Sequence, residues 1–377
     1  MAFELLQLVS DQLVLGQALP FNVRDAQGKL LLARGYLLRS ELQRETLLDR
    51  GLYVDVEEFK AVQEGRAYTP PPEKLKTTLF DLWEQANWRL DNLLKSVDQE
   101  PGFPARCEAF ATQFMSLVQR DIDIAIYLSV RQDERRMNLY GLSHTLHAAL
   151  LGQLMAQRIG WTSERTLSLV KAALTMNMAI VDLQGRFAAM GRLSEAQRDQ
   201  IRAHPQRAVD LMRSAGVTDS AWLEGVLQHH ERPGGGGYPR DLKQVDELAD
   251  ALRLADVFMA KISPRAERPA LKIQEAARQM FHEAHGSAAS AAIIKEYGIY
   301  PPGNFVELAS GELAVVIRRG TTAHTPVAAA ITDTSGRPVV RTVRRDTAQP
   351  AYAIKALAVD KLMMQRLVPE RLYGLPE

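Results

Sequence analysis

A mainly α-helical protein, with a small α/β module at its N-terminus and a small β-rich appendage at its C-terminus, is the fold class this sequence predicts. Three observations carry that expectation. From residue 76 to about residue 295, apolar side chains recur at three- and four-residue spacing, the period of amphipathic helices. Before and after that stretch the apolar pattern alternates and is punctuated by glycine-containing turns, as in strands and hairpins. The chain of 377 residues also exceeds one ordinary core and calls for two or three domains.

Taken in order, residues 1–58 form the expected α/β module. Two apolar runs flank Asp25-Ala26-Gln27-Gly28, a hairpin signal; "RSELQRETLLDRG" reads as a short helix stopped by Gly51, and "LYVDVEEF" alternates like a strand. Residues 59–137 make a Pro-rich linker followed by a helical connector: "TPPPEK" cannot continue a helix, "TTLFDLWEQANWRLDNLLKSV" can, and "EPGFP" breaks it again. "RCEAFATQFMSLVQRDIDIAIYLSV" reads as one further helix, and the charge-rich "RQDERRMN" as a solvated helix end. Residues 138–295 form the main helical domain, with successive helices over "SHTLHAALLGQLMAQRIG", "SERTLSLVKAALTMNMAIVDL", "SEAQRDQIRA", "QRAVDLMRSAG", "DSAWLEGVLQHH" and "DELADALRLADVFMAKI". Ser194 and Gln197 have capping-box spacing, and Gly216 stands where a C-cap would. In 296–377, alternating stretches about Ser310-Gly311 and Ser335-Gly336 predict three to five strands.

Charge and composition exclude several function classes. Lys+Arg at 46 against Asp+Glu at 45 leave a net charge of +1, no field for nonspecific nucleic-acid binding, and DNA is not expected as a partner. One cysteine, Cys107, rules out an intrachain disulfide, fits a reducing cytoplasm, and reads as a half-buried small residue. No run of about 18 apolar residues suggests a membrane span, and the acidic start "MAFELLQLVS" does not look like a secretory leader. A cytoplasmic location is expected.

The chemistry-bearing residues concentrate in the helical region. Of eight histidines, five lie between 144 and 230: His144 and His147 near the start of one helix, His204 before Pro205, and the pair His229-His230 closing another. Asp256 sits inside a later helix. Imidazoles plus a carboxylate are ligands for Zn, Mn or Fe, and helices can aim them into one core. His147, one helical turn beyond His144, reads either as a core residue beside it or as a substitute ligand, and His282, His285 and His324 as surface residues. The run Gly234 to Gly237 must be a turn, because consecutive positive φ or close backbone approach needs glycine.

The order of these motifs resembles the HD-GYP domain, a branch of the HD phosphohydrolase superfamily with an HD-type helical bundle core. Its members are metal-dependent phosphodiesterases acting on the bacterial second messenger cyclic di-GMP, and often on pGpG. The early His of the pattern falls on His144, its HP on His204-Pro205, its HHExxDGxGYP on His229-His230-Glu231 through Gly237-Tyr238-Pro239, and its late AD on Ala255-Asp256. The resemblance implies metal ligation by His144, His204, His229, His230 and Asp256, and phosphate contacts from Arg265 and Arg268, which read from the residues alone as equally well solvated charges. Tyr238 would either stack on a guanine or close its loop, and Gly237, Tyr238 and Pro239 would form an interaction surface. The flanks "YGIYPPGNFVELASGELAVVIRRG" and 1–58 resemble modules found beside such domains, for which regulation or interaction is expected.

The departures are as informative. Where the family has its HD dyad and a lysine, this chain has Met176, Asn177 and Ile180; the signature aspartate is Gly234, the second aspartate of the late motif is Met259, and a glutamate of trinuclear members is Tyr140. A bridging aspartate offsets the repulsion of two dications, which neutral Asn177 cannot match, and the Met176 thioether is a poor ligand for Zn or Mn. Ile180 offers no charge to a phosphate. His204, His229 and His230 could still hold one ion, with His144 and Asp256 left as half of a second site. The expected cofactor is therefore a single divalent metal (Zn, Mn or Fe) or none. The expected function is a degenerate HD-GYP-like module that binds cyclic di-GMP or a related nucleotide, or docks a diguanylate cyclase or another signalling protein, with little or no hydrolysis. The alternative is an active metal-dependent phosphodiesterase for cyclic di-GMP or pGpG with a rearranged site. A homodimer is left open.

Overall fold

The computed structural model describes residues 5–8, 13–25, 30–48, 52–66, 68, 78–132, 139–190, 193–265, 269–358 and 367–374. These fall into two compact units, one within Met1–Ser96 and one within Val97–Leu375.

The first unit holds strands β1 (Leu5–Gln7), β2 (Val23–Arg24), β3 (Leu30–Leu32) and β4 (Tyr53–Asp55), and helices α1 (Glu41–Leu48), α2 (Val56–Gln63) and α3 (Leu79–Lys95). The strands form an antiparallel sheet in the order β1-β4-β2-β3. The expected first hairpin pairs Val23 with Leu32; residues 26–28 of its turn, like Gly51 and "TPPPEK", lie outside the described residues. The strand expected over "LYVDVEEF" stops at Asp55. The Asp55 carboxylate accepts the Glu57 and Glu58 amides and caps α2, which runs to Gln63 through the start of the expected linker. A capping aspartate followed by two acids in the first turn outweighs three residues of alternation. Thr78 and Asp81 close a capping box on α3, whose Trp88 carbonyl accepts the Tyr36 hydroxyl (3.0 Å) and whose Asp91 accepts from Gln43 (2.5 Å).

The second unit is mainly helical: α4 (Phe103–Arg120), α5 (Ile122–Val130), α6 (Tyr140–Arg158), α7 (Ser163–Thr175), α8 (Val181–Ala189), α9 (Glu195–Ser214), α10 (Ser220–Gln228), α11 (Glu247–Ile262), α12 (Ile273–Glu283) and α13 (Ala288–Tyr297). Three boundaries differ from the sequence reading. Asp121 is extended and its carboxylate caps Ile124, so the single helix expected there is two. Turns over Met176–Ile180 separate α7 from α8, where one helix was expected. Conversely, α9 continues through Pro205 instead of stopping before it. Residues 133–138 of "RQDERRMN" are outside the described residues.

Helix α6 is the centre of this unit. Its residues from Leu146 to Ala156 are almost all buried, including Leu150, Leu151 and Leu154, and it packs on α7 and α11. Burial on every side explains why α6 has no clean polar face. After α13, strands β5 (Phe305–Leu308), β6 (Leu313–Arg318), β7 (Val327–Thr332), β8 (Pro338–Asp346) and β9 (Ile354–Leu357) form an antiparallel sheet ordered β8-β7-β6-β5-β9, with the expected turns at Gly311 and Gly336. Arg318 pairs with Asp121 (2.8 Å), and Arg319 with Asp123 (2.7 Å) and Glu296 (2.9 Å), tying this sheet to the helices. Helix α14 (Pro369–Tyr373) lies against β6 and β8. Cys107 is fully buried rather than half-buried, and burial pushes its thiol up to about 12. No helix of the described residues is long and apolar enough to cross a membrane.

Candidate metal centre

His204 on α9 and His229-His230 just past the end of α10 converge, with one potential ligand atom from each within 4.8 Å of the others. The local sequence explains how two of these rings are aimed. Pro205 has no amide hydrogen, so the Ile201 carbonyl, four residues back, loses its helical donor. The His204 Nδ1 takes that place, donating to Ile201 O (2.5 Å). The last carbonyls of a helix lack donors as well, and His229 Nδ1 donates to one of them, Val226 O (2.6 Å). A proline and a helix end thus do the same work. Each frees a carbonyl that fixes an imidazole.

Because a carbonyl only accepts, both Nδ1 atoms carry the proton and both Nε2 atoms present lone pairs in the neutral rings. Those Nε2 atoms face each other at 3.1 Å. Two nitrogens that each lie ~2.0–2.1 Å from one ion span a separation of this order, and a tethered Nδ1 is how metal-binding histidines are oriented. The donor set therefore fits a divalent metal. Burial, then the charge of His229, pushes His204 down to about 3; burial likewise lowers His229 and, with His229 beside it, lowers His230 well below the ordinary value. All three rings are neutral at pH 7, the state a metal requires.

His144 and Asp256 have found each other. His144 Nε2 donates to Asp256 Oδ1 (2.7 Å), while Asp256 Oδ2 stands 4.0 Å from His230 Nδ1. Burial alone would raise the Asp256 carboxyl, but the His144 hydrogen bond and the surrounding histidines hold it well below the usual carboxylate range. All five residues singled out as ligands are contiguous, with the three histidines as the open cluster. His147 is buried, and burial followed by His144 pushes it down to about 3. His282, His285 and His324 are exposed.

The glycine-rich loop is held from below by Glu231, fully buried, whose two oxygens accept the Arg240 (2.6 Å) and Leu242 (3.0 Å) amides. Gly234, Gly235 and Gly236 all have positive φ, and a Cβ on Gly237 would lie 2.5 Å from Glu231 Cα. This clamp presents Tyr238 stacked on His230, ring centroids 4.5 Å apart and 27° between planes. Pro239 is exposed beside it. In sequence Glu231 is only the third residue of the His229-His230-Glu231 motif; it is the loop's anchor, a role visible only from amides nine and eleven residues later.

Met176, Asn177 and Ile180 are all buried, and Asn177 Nδ2 has no hydrogen-bond partner among the described residues. Arg265 donates through Nη2 (2.7 Å) and Nε (3.1 Å) to the Tyr140 hydroxyl, and the Tyr140 ring stacks on His144 at 5.5 Å and 12°. Arg268 lies outside the described residues.

Residues 132–287 match the HD domain family. A relative from Pseudomonas aeruginosa, named "Cyclic di-GMP phosphodiesterase PA4108", is 32% identical over 133 residues, 34% of this chain. Residues 132–287 of this chain are an HD domain. The match spans 32% of the length of that relative, so the two share this domain and not a whole-protein correspondence. A solved structure, "Bd1817, a HDG"Y"P protein from Bdellovibrio bacteriovorus", is similar at a TM-score of 0.48 and 16% identity, over 78% of this chain and 99% of that one. His144, His204, His229, His230 and Asp256 all fall inside this HD domain, residues 132–287.

Proposed function

We propose that this protein is a cyclic di-GMP-binding signalling module built on an HD-GYP domain, with one divalent metal held by His204, His229 and His230 and little or no hydrolytic activity. The observation that carries the reading is the pair of tethered imidazoles whose Nε2 lone pairs meet at 3.1 Å, while the dyad positions hold Met176 and Asn177. A bound divalent ion would supply Lewis acidity toward a phosphate oxygen. The chain's own residues do the rest. Tyr238 offers an aromatic face over His230 for a nucleobase, Arg265 offers a guanidinium for a phosphate, and Gly237 to Pro239 form the surface against which a diguanylate cyclase or another signalling protein would dock. Hydrolysis would need an activated water and a second centre of charge. His144 and Asp256 are spent on each other, and Met176, Asn177 and Ile180 offer neither an anionic ligand nor a cation.

The relative's name favours a second reading, an active phosphodiesterase for cyclic di-GMP or pGpG with a rearranged site. Three measurements on the purified protein separate the two: elemental analysis, calorimetry with cyclic di-GMP, and turnover assays with Mn, Fe and Zn. One bound metal, nucleotide binding and negligible product support the proposal. Turnover comparable to binding-limited hydrolysis supports the second reading, and neither metal nor nucleotide binding ends both.

A further inference from the structure

Beside the histidines lies a cation with an unusual partner. Arg265, half-buried just past the end of α11, gives two of its five N–H groups to the Tyr140 hydroxyl, and its guanidinium carbon sits 5.2 Å from the Tyr140 ring centroid. Among the described residues no carboxylate lies within ion-pair distance of it. The same Tyr140 ring is stacked on His144, itself held by Asp256, so the phenol is braced from its other side.

The chemistry of the partner matters. A carboxylate at position 140 would also orient the guanidinium, but it would cancel its charge. A phenol accepts the hydrogen bonds and leaves the positive charge and three N–H donors for something else. Guanidinium forks held rigid in this way match the oxygens of phosphate groups.

We propose that Tyr140 is a positioning residue that fixes Arg265 as the anion receptor of this site, the anion being a phosphate group of its nucleotide ligand. The identity of the ligand rests on the function proposed above; the placement of Arg265 by Tyr140 does not.

Two substitutions separate orientation from charge. Tyr140→Phe keeps the ring and its stack on His144 but removes the acceptor, and Tyr140→Glu keeps an acceptor but neutralises the cation. The full-length protein is titrated with inorganic phosphate while the Arg265 Nε–H resonance, assigned through Arg265→Lys, is followed by NMR. Cyclic di-GMP affinity and metal content are measured alongside. In the unsubstituted protein phosphate should move the Arg265 signal. Tyr140→Phe should lose that response and bind cyclic di-GMP about tenfold more weakly, the effect of one charge-assisted contact. Tyr140→Glu should lose both, and metal content should be the same in Tyr140→Phe as in the unsubstituted protein. The inference is overturned if phosphate leaves the Arg265 signal unmoved in the unsubstituted protein, or if either variant responds as that protein does. If phosphate moves Arg265 but cyclic di-GMP does not bind, the nucleotide reading fails and the anion receptor stands.

Discussion

Replacing Pro205 by alanine should make this protein more stable and worse at holding metal, two changes that rarely travel together. In the native helix Ile201 O has no amide donor from position 205 and is taken by His204 Nδ1 at 2.5 Å. Alanine restores the amide. The helix gains back its i to i−4 bond and loses the proline penalty, together worth up to about 3 kcal/mol. Against this, His204 Nδ1 must share or surrender its carbonyl, and an unsatisfied buried N–H costs about 1–3 kcal/mol. The net change in the metal-free protein is a gain of about 0–2 kcal/mol by these same terms. Metal affinity should move the other way. Loss of the group that orients a ligating imidazole costs roughly 10–100-fold in affinity. The assay is urea denaturation of chelator-treated protein, followed by equilibrium titration of Zn or Mn with a competing chelator. Unchanged metal affinity in a well-folded Pro205→Ala protein would refute the argument that this carbonyl aims His204.

Three further outcomes follow from the loop and the buried histidines. Glu231→Gln keeps the shape of the clamp but replaces one acceptor of the Arg240 and Leu242 amides by a donor; losing about 1.5–3 kcal/mol of local closure should speed proteolysis of the loop by roughly 10–100-fold, and an unchanged rate would count against it. Gly237→Ala places a methyl 2.5 Å from backbone at Glu231, so the loop must shift, with a loss of about 1–3 kcal/mol in urea unfolding and weaker nucleotide binding; wild-type behaviour would show that the loop can move freely. His147 is about 3 when folded against an ordinary value of 6.5, so between those pH values the unfolded chain binds the extra proton. Stability therefore falls as pH drops from 6.5 toward 3. His147→Phe in chelator-treated protein should flatten that acid limb by an amount on the order of several kcal/mol, and an equally steep limb would assign the acid sensitivity elsewhere.

How much of this could be read from the residues depends on how local the cause is. The helical character of the stretch from residue 76 to about 295, the two C-terminal turns at Gly311 and Gly336, and the Ser194 capping box follow from short-range periodicity and turn chemistry, and they are where the sequence puts them. Helix ends were harder. Asp55 and Asp121 look like ordinary surface acids in an alternating or helical run, yet each caps a new helix, Asp55 by accepting two amides and Asp121 by accepting one, and a satisfied cap outweighs the pattern around it. Pro205 failed as a stop signal for the opposite reason. A side chain took over the carbonyl it left bare. The histidine cluster was legible as motifs in order; the pairing of Tyr140 with Arg265, 125 residues apart, carries no local signal at all.

The geometry of the cluster also bears on why it would persist without the dyad. His204, His229 and His230 are aimed by Ile201 O, Val226 O and the Tyr238 stack, all within residues 201–238, and none of these tethers involves the turn over Met176–Ile180. Substitution in that turn can abolish a second centre and leave the first intact. Two facing lone pairs 3.1 Å apart repel, and three routes could relieve them. Flipping a ring breaks a hydrogen bond to a carbonyl that has no other donor. Protonating a ring is opposed by the burial of both. The third route, a cation shared between the two nitrogens, costs neither a tether nor a buried proton. An HD-GYP domain that had become only a scaffold would have no reason to hold two Nε2 atoms in opposition, and any substitution that released one tether would be tolerated. The opposed, tethered pair is therefore the feature that argues for metal binding outlasting the two-metal chemistry.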